Sequence, residues 1–203
     1  MRKSLLFVWA CMGLVCLMSA CKTSVKSKEW KLVWVEDFDQ KNSFDESVWT
    51  KIPRGTSDWN NYMSYYDSCY AMQDGNLILR GIANHTQKND TAPYLTGGVY
   101  TKGKKLFTGG RVEVCARLQA AKGAWPAIWM LPEKAEWPKG GEIDIMERLN
   151  HDRIAYQTTH SYYTHILGIK DNPPHGGINK INPEEYNISV SYTHLRAHET
   201  LMN

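Results

Sequence analysis

From Trp30 onward, apolar and polar positions follow one another with the period of two that sends alternate side chains to opposite faces of a strand. WKLVWVEDF (30–38) alternates early and then turns. GNLILRGI (75–82) follows Asp74-Gly75, a dipeptide suited to a tight hairpin. GGVYTKGKKLFTGGRVEVCARLQ (97–119) reads as strand, turn, strand. Its last arm sends Val112, Val114, Ala116 and Leu118 to one face and Arg111, Glu113, Cys115 and Arg117 to the other. WPAIWMLPE (125–133) predicts an apolar strand, in which Pro126 marks an edge or an irregularity. IAYQTTHSYY (154–163) is β-branched and aromatic, and predicts another strand. DNPPHGGINKINPEE (171–185) predicts a loop. No window of useful length carries a helical period. The class is therefore all-β, with two packed sheets favoured over a small barrel.

The two ends do not join this pattern. MRKSLLFVWACMGLVCLMSAC has a basic start, an apolar run and small residues before Cys21, the arrangement of a bacterial lipoprotein signal. The expected organisation is a signal peptide over 1–20, acylation at Cys21, a polar tether over 21–29 and a domain over 30–188. That implies a lipid-anchored protein of the bacterial cell envelope, because two or more acyl chains hold a protein stably at a membrane. Residues 189–203 contain VSYTHLRAHET, which resembles a translated sequencing adapter. On that reading the tail is non-native and the natural polypeptide continues differently after Ile188.

Charge and cysteine content narrow the function. The formal net charge is +3, but Arg2 and Lys3 belong to the signal, and Arg196 and Glu199 cancel in the tail. The body is near neutral and lacks the basic stripe of a nucleic-acid partner. Of five cysteines, Cys69 and Cys115 alone lie in the domain. They are either a disulfide or two semi-buried thiols. No CxxC or HExxH pattern suggests a metal, and no cofactor is expected.

The chemistry concentrates in GGEIDIMERLN (140–150). On a regular strand Glu142 and Asp144 share a face, whereas Glu147 points to the side of Ile143 and Ile145, where an unpartnered carboxylate is costly. A β-bulge at Ile145–Met146 removes the conflict, because two residues then oppose one and Glu147 rejoins its companions. Four effective steps separate the two Glu α-carbons by ~13 Å. With side chains reaching roughly 4 Å, the carboxyls approach within ~5 Å. Retaining glycosidases need ~5–5.5 Å between nucleophile and acid/base. Crowding raises one pKa, leaving one protonated and one ionised group near neutrality. The pattern does not say which Glu takes which role. A solvated acidic face or a calcium cluster fits the same three residues.

The neighbouring aromatics favour catalysis on sugar. Of eight tryptophans, Trp59, Trp125, Trp129 and Trp137 are candidates for stacking on sugar rings, with two of them expected in the cleft. Trp30, Trp34 and Trp49 are assigned to core packing. GAWPAIWMLPE…WPKGGEIDIMER resembles glycoside hydrolase family 16, in its laminarinase-like branch. The similarity runs from LVWVEDF through SVWTKI, DGNLIL and YTKGKKLFTGGRVEVCARL to EEYNI. The resemblance implies a β-jelly-roll sandwich of two antiparallel sheets with a concave sugar cleft. It also implies Glu142 as nucleophile, Asp144 as its assistant and Glu147 as acid/base. AYQTTH (155–160) resembles the family's next strand, with His160 at the second histidine and Tyr156 replacing the first.

The implied activity is retaining endo-hydrolysis of a β-linked polysaccharide, first β-1,3-glucan or mixed-linkage β-glucan. Glu147-Arg148-Leu149-Asn150 and NNYMSYY (60–66) depart from the laminarinase pattern. They leave open a β-galactoside such as poly-lactosamine or a mucin O-glycan, and a surface protein that only binds glycans. The resemblance also implies further C-terminal strands beyond EEYNI that are missing here. Their absence would expose unpaired sheet edges, so the 203-residue chain is expected to be poorly stable and inactive.

Overall fold

The computed structural model describes residues 30–170 and 174–192. The predicted signal peptide, the tether with its lipidation site Cys21, and tail residues 193–203 lie outside them. The chain divides into two units, Met1–Val33 and Trp34–Asn203. Of the first, only 30–33 are described, and they form no strand.

Among the described residues the second unit holds twelve β-strands and one turn of α-helix. Four antiparallel ribbons are short. β1 (Thr50–Lys51) pairs with β6 (Val99–Tyr100), and β2 (Tyr70–Gln73) with β3 (Asn76–Leu79). β4 (Gly81–Ala83) pairs with β5 (Tyr94–Thr96), and β7 (Arg111–Ala116) with β12 (Asn187–Tyr192). The β2–β3 turn is the predicted one. Asp74 and Gly75 have φ of 52° and 69°, both positive, as a two-residue hairpin matched to strand twist requires. The largest sheet has the order β11-β10-β9-β8, where β8 is Ala127–Met130, β9 Glu142–Glu147, β10 Ile154–His160 and β11 Gly176–Lys180. Pro126 stands just before β8 at an edge of this sheet, where a residue without an N–H costs no ladder bond.

Several expectations are corrected. WKLVWVEDF forms no strand. Trp34 instead packs near Trp49 and Phe107, at ring separations of 6.3 and 5.5 Å, and Trp49 donates to Glu36 Oε2 at 2.9 Å. Trp30 is exposed rather than in a core. The predicted 154–163 strand stops at His160, because Ser161 caps helix α1 (Tyr162–His165). The predicted loop 171–185 contains β11, all five of whose residues are exposed. It is held by backbone pairing to β10, so no apolar alternation announces it. The two arms of 97–119 do form strands, but each pairs elsewhere. Cys69 is buried, Cys115 exposed, and both are free thiols.

The core positions the catalytic candidate strand. Leu118, Met146 and Ala155 are buried together, with Ala116, Ile128 and Ile181 packed against them. Met146 is 1% and Ile145 3% exposed. Each such side chain contributes roughly 1.5–3 kcal/mol, which fixes the back of β9 firmly. Ile143, expected on the same apolar side, is 39% exposed. It borders a cavity of about 400 Å³ that Ile145, Gln157 and Val190 also line.

Candidate active site

The bulge in β9 sets the geometry. On one side, β8 pairs Ile128 with Met146 and Trp129 with Asp144, skipping Ile145. On the other, β10 pairs Tyr156 with Glu147 and Thr158 with Asp144, so Gln157 alone opposes Ile145 and Met146. His160 pairs with Glu142. Tyr156, Thr158 and His160 alternate on β10 and share one face, so Glu142, Asp144 and Glu147 share it too. The extra residue turns Glu147 back while both bulged side chains enter the core.

Each glutamate is held by an indole. Trp137 Nε1 donates to Glu142 Oε2 at 2.5 Å, and Trp125 Nε1 donates to Glu147 Oε1 at 2.8 Å. Trp129 reaches the same face through its pairing with Asp144, and Trp59 packs edge-on against it at 5.0 Å. Trp125 and Trp137 thus meet the carboxylates directly, Trp129 shares their face, and Trp59 is placed by its contact with Trp129. His160 Nε2 lies 3.2 Å from Asp144 Oδ2.

Asp144 is 5% exposed. Burial, then the charges of Glu147 and Glu142, then a hydrogen bond with Glu142, push its pKa up to about 7. Below about pH 7 Asp144 therefore keeps its proton and donates it toward Glu142. This carries a stability consequence. Below the ordinary value of 3.8, Asp144 is protonated folded and unfolded, and its titration costs nothing. As pH rises to about 7, the folded state must keep a proton that the unfolded state releases, so stability falls; above that the cost is constant. Asp144→Asn should thus gain stability relative to wild type between pH 3 and pH 8, by on the order of 2–4 kcal/mol. Urea unfolding at both pH values checks this, and a difference that does not grow with pH contradicts it.

Sequence reasoning missed several supports. Asn150 has φ of 53°, its N–H donates to Ala124 O at 2.9 Å, and its side chain accepts from Gly123 N at 2.7 Å. That clamp holds the loop leading into Trp125; an Asn after the acidic strand is its only sequence signal. Arg148, 4% exposed, donates to the carbonyls of Leu118 and Asp152 and anchors the end of β9. The departures at 148–150 are therefore structural here. Asn60 ties the turn before Trp59, its Oδ1 accepting from Ser57 N at 3.1 Å. A Cβ on Gly55 would lie 2.3 Å from the Asn60 side chain, so a larger residue there would displace that amide. His165, edge-on to Trp137 at 4.4 Å, had no sequence signal.

The family model described as "XgeA-like, catalytic GH16 domain" matches residues 65–188. The chain belongs to glycoside hydrolase family 16. This family 16 chain is 42% identical over 144 residues to the keratan-sulfate endo-1,4-β-galactosidase of Sphingobacterium multivorum, covering 68% of this chain and 34% of that one. It is 34% identical over 163 residues to the β-glucanase of Rhodothermus marinus, covering 75% of this chain and 56% of that one. The chain thus spans about a third and just over half of these two relatives. The laminarinase catalytic domain of Thermotoga maritima superposes with a TM-score of 0.68 at 28% identity, over 82% of this chain and 71% of that one. The fold is accordingly the jelly-roll sandwich of this family.

Proposed function

We propose that the protein is a retaining endo-β-glycosidase in which Glu142 is the nucleophile and Glu147 the acid/base. The observation that carries this is the bulge, which brings both glutamates to one tryptophan-lined face. Donor count supports the assignment of roles. Glu142 accepts from Trp137 and is hydrogen-bonded by Asp144, two donors that hold its carboxylate in place. Glu147 accepts from Trp125 and stands as the proton donor.

In the first step a Glu142 oxygen bonds to the anomeric carbon while the glycosidic C–O bond breaks. The leaving oxygen takes the Glu147 proton. In the second, Glu147 removes a proton from water, whose oxygen bonds to the anomeric carbon and releases Glu142, with net retention. Asp144 steers the nucleophile, and His160 steadies Asp144.

β-1,3-glucan or mixed-linkage β-glucan is the first substrate class, supported by the β-glucanase and laminarinase relatives. A galactoside of the poly-lactosamine or mucin type is the second, favoured by the 42% identical keratan-sulfate endo-β-galactosidase. The enzyme acts from a lipid anchor at Cys21 in the cell envelope. A product profile of the full-length protein on laminarin, mixed-linkage glucan, keratan sulfate and mucin O-glycans decides the class. Internal cleavage with initial release of the β-anomer, read by NMR, is the expected result. An α-anomer at first release would refute the retaining pair.

A further inference from the structure

We propose that His165 is a positioning residue, bracing the Trp137 indole so that its N–H stays on Glu142. This rests on the reading of Glu142 as nucleophile. Trp137 is 48% exposed, and without a brace its ring is free to change rotamer. Its indole N–H donates to Glu142 Oε2. The His165 ring meets it edge-on at 4.4 Å, with the planes 64° apart, a geometry that aligns the edge of one ring with the face of the other. The His160 ring lies farther off, 6.4 Å from Trp137.

The chain spends a dedicated device on this contact. Directly after His160 ends β10, Ser161 and Thr164 form a reciprocal capping box. Ser161 Oγ accepts from Thr164 N at 3.2 Å, and Ser161 N donates to Thr164 Oγ1 at 3.1 Å. The turn closes with His165 N donating to Ser161 O at 2.9 Å. A four-residue helix is too short to persist on intrinsic propensity, so the cap defines it. The result folds the chain back five positions from His160 and sets a second histidine 6.2 Å from the first, against the indole. Three elements thus converge on Glu142: the loop carrying Trp137, the end of β10 with His160, and the capped turn with His165. Among the described residues, Asp144 hydrogen-bonds Glu142, the Glu147 charge acts on Asp144, and His160 and His165 stand beside the indole.

If His165 holds the indole, losing it releases the N–H from Glu142 and lets the nucleophile drift from its place. In the full-length protein, His165→Ala should lower kcat by about tenfold with KM little changed, the mark of an interaction that serves the chemical step. His165→Phe, which keeps an aromatic edge, should restore kcat. Trp137→Phe should reproduce the loss, and adding His165→Ala to it should do nothing more, since both changes remove one interaction.

A readout independent of turnover is the Trp137 indole N–H resonance, assigned by its disappearance in Trp137→Phe. It should move in His165→Ala and return in His165→Phe, with thermal unfolding checked in each. An unmoved resonance in a folded His165→Ala protein overturns the bracing role whether or not Glu142 is the nucleophile. Additive losses in the double variant overturn it as well. Failure of the nucleophile reading itself would show separately, as turnover surviving in Glu142→Gln.

Discussion

Glu142→Gln should cut hydrolysis by about 10⁴-fold or more, because without the carboxylate no covalent intermediate forms. Oligosaccharide affinity, read by calorimetry, should remain close to wild type. The substituted amide keeps the size of the side chain and an oxygen that can accept the Trp137 N–H. This separation of binding from turnover is the sharp part of the expectation. A protein that only binds glycans would show unaltered affinity with no wild-type turnover to lose. Turnover at the wild-type rate in the variant would remove Glu142 from the mechanism.

The second large effect is expected at Glu147. Glu147→Gln should slow cleavage of the natural glycan by about 10²–10⁴-fold, the usual contribution of a positioned general acid. An aryl glycoside whose leaving group needs no proton should form the glycosyl-enzyme at close to the normal rate. The second step should still be slow, since water then lacks its base. The variant should therefore give a burst of phenol followed by a slow steady state. Equal losses on both substrates, without a burst, would mean that Glu147 does not protonate the leaving group. The Trp125 N–H that now meets Glu147 can be accepted by the Gln carbonyl, so the aromatic wall is expected to stand.

The acidic strand was legible because its sequence contradicts itself. Glu142, Asp144 and Glu147 cannot share a face at strict period two, and the apolar Ile145 and Met146 supply both the place and the reason for a bulge. The Asp74-Gly75 hairpin was legible for a similar local reason, since two successive positive φ angles need those residue types. What failed to show were partnerships made at a distance. β7 carries a plain alternating pattern, yet nothing in it names β12 as its neighbour, and all of β12 except Asn187 and Ile188 falls in the stretch that resembles a translated adapter. β11 is exposed throughout and lies in a run rich in Gly and Asn, so its strand character comes from β10 rather than from its own residues. WKLVWVEDF failed in the opposite sense. Its alternation is real, but aromatic contacts to Trp49 and Phe107 settle Trp34 without a ladder. At the site, the aromatics nearest the motif were visible as types, whereas their N–H donations to Glu142 and Glu147 depend on loop geometry that no spacing encodes.

The skipped residue in β9 divides tolerance to substitution from tolerance to length change. Any side chain of suitable bulk that fills the space of Ile145 or Met146 leaves the acids where they are, so this pair is open to drift among aliphatic types. Removing one codon there, or adding one, reverses the parity of everything downstream in the strand and sends Glu147 into the core. Natural and laboratory variants should accordingly be rich in replacements at this pair and empty of single-residue insertions or deletions. A deep library that scores both kinds of change would display the site as a place where residue number is fixed and residue identity is loose.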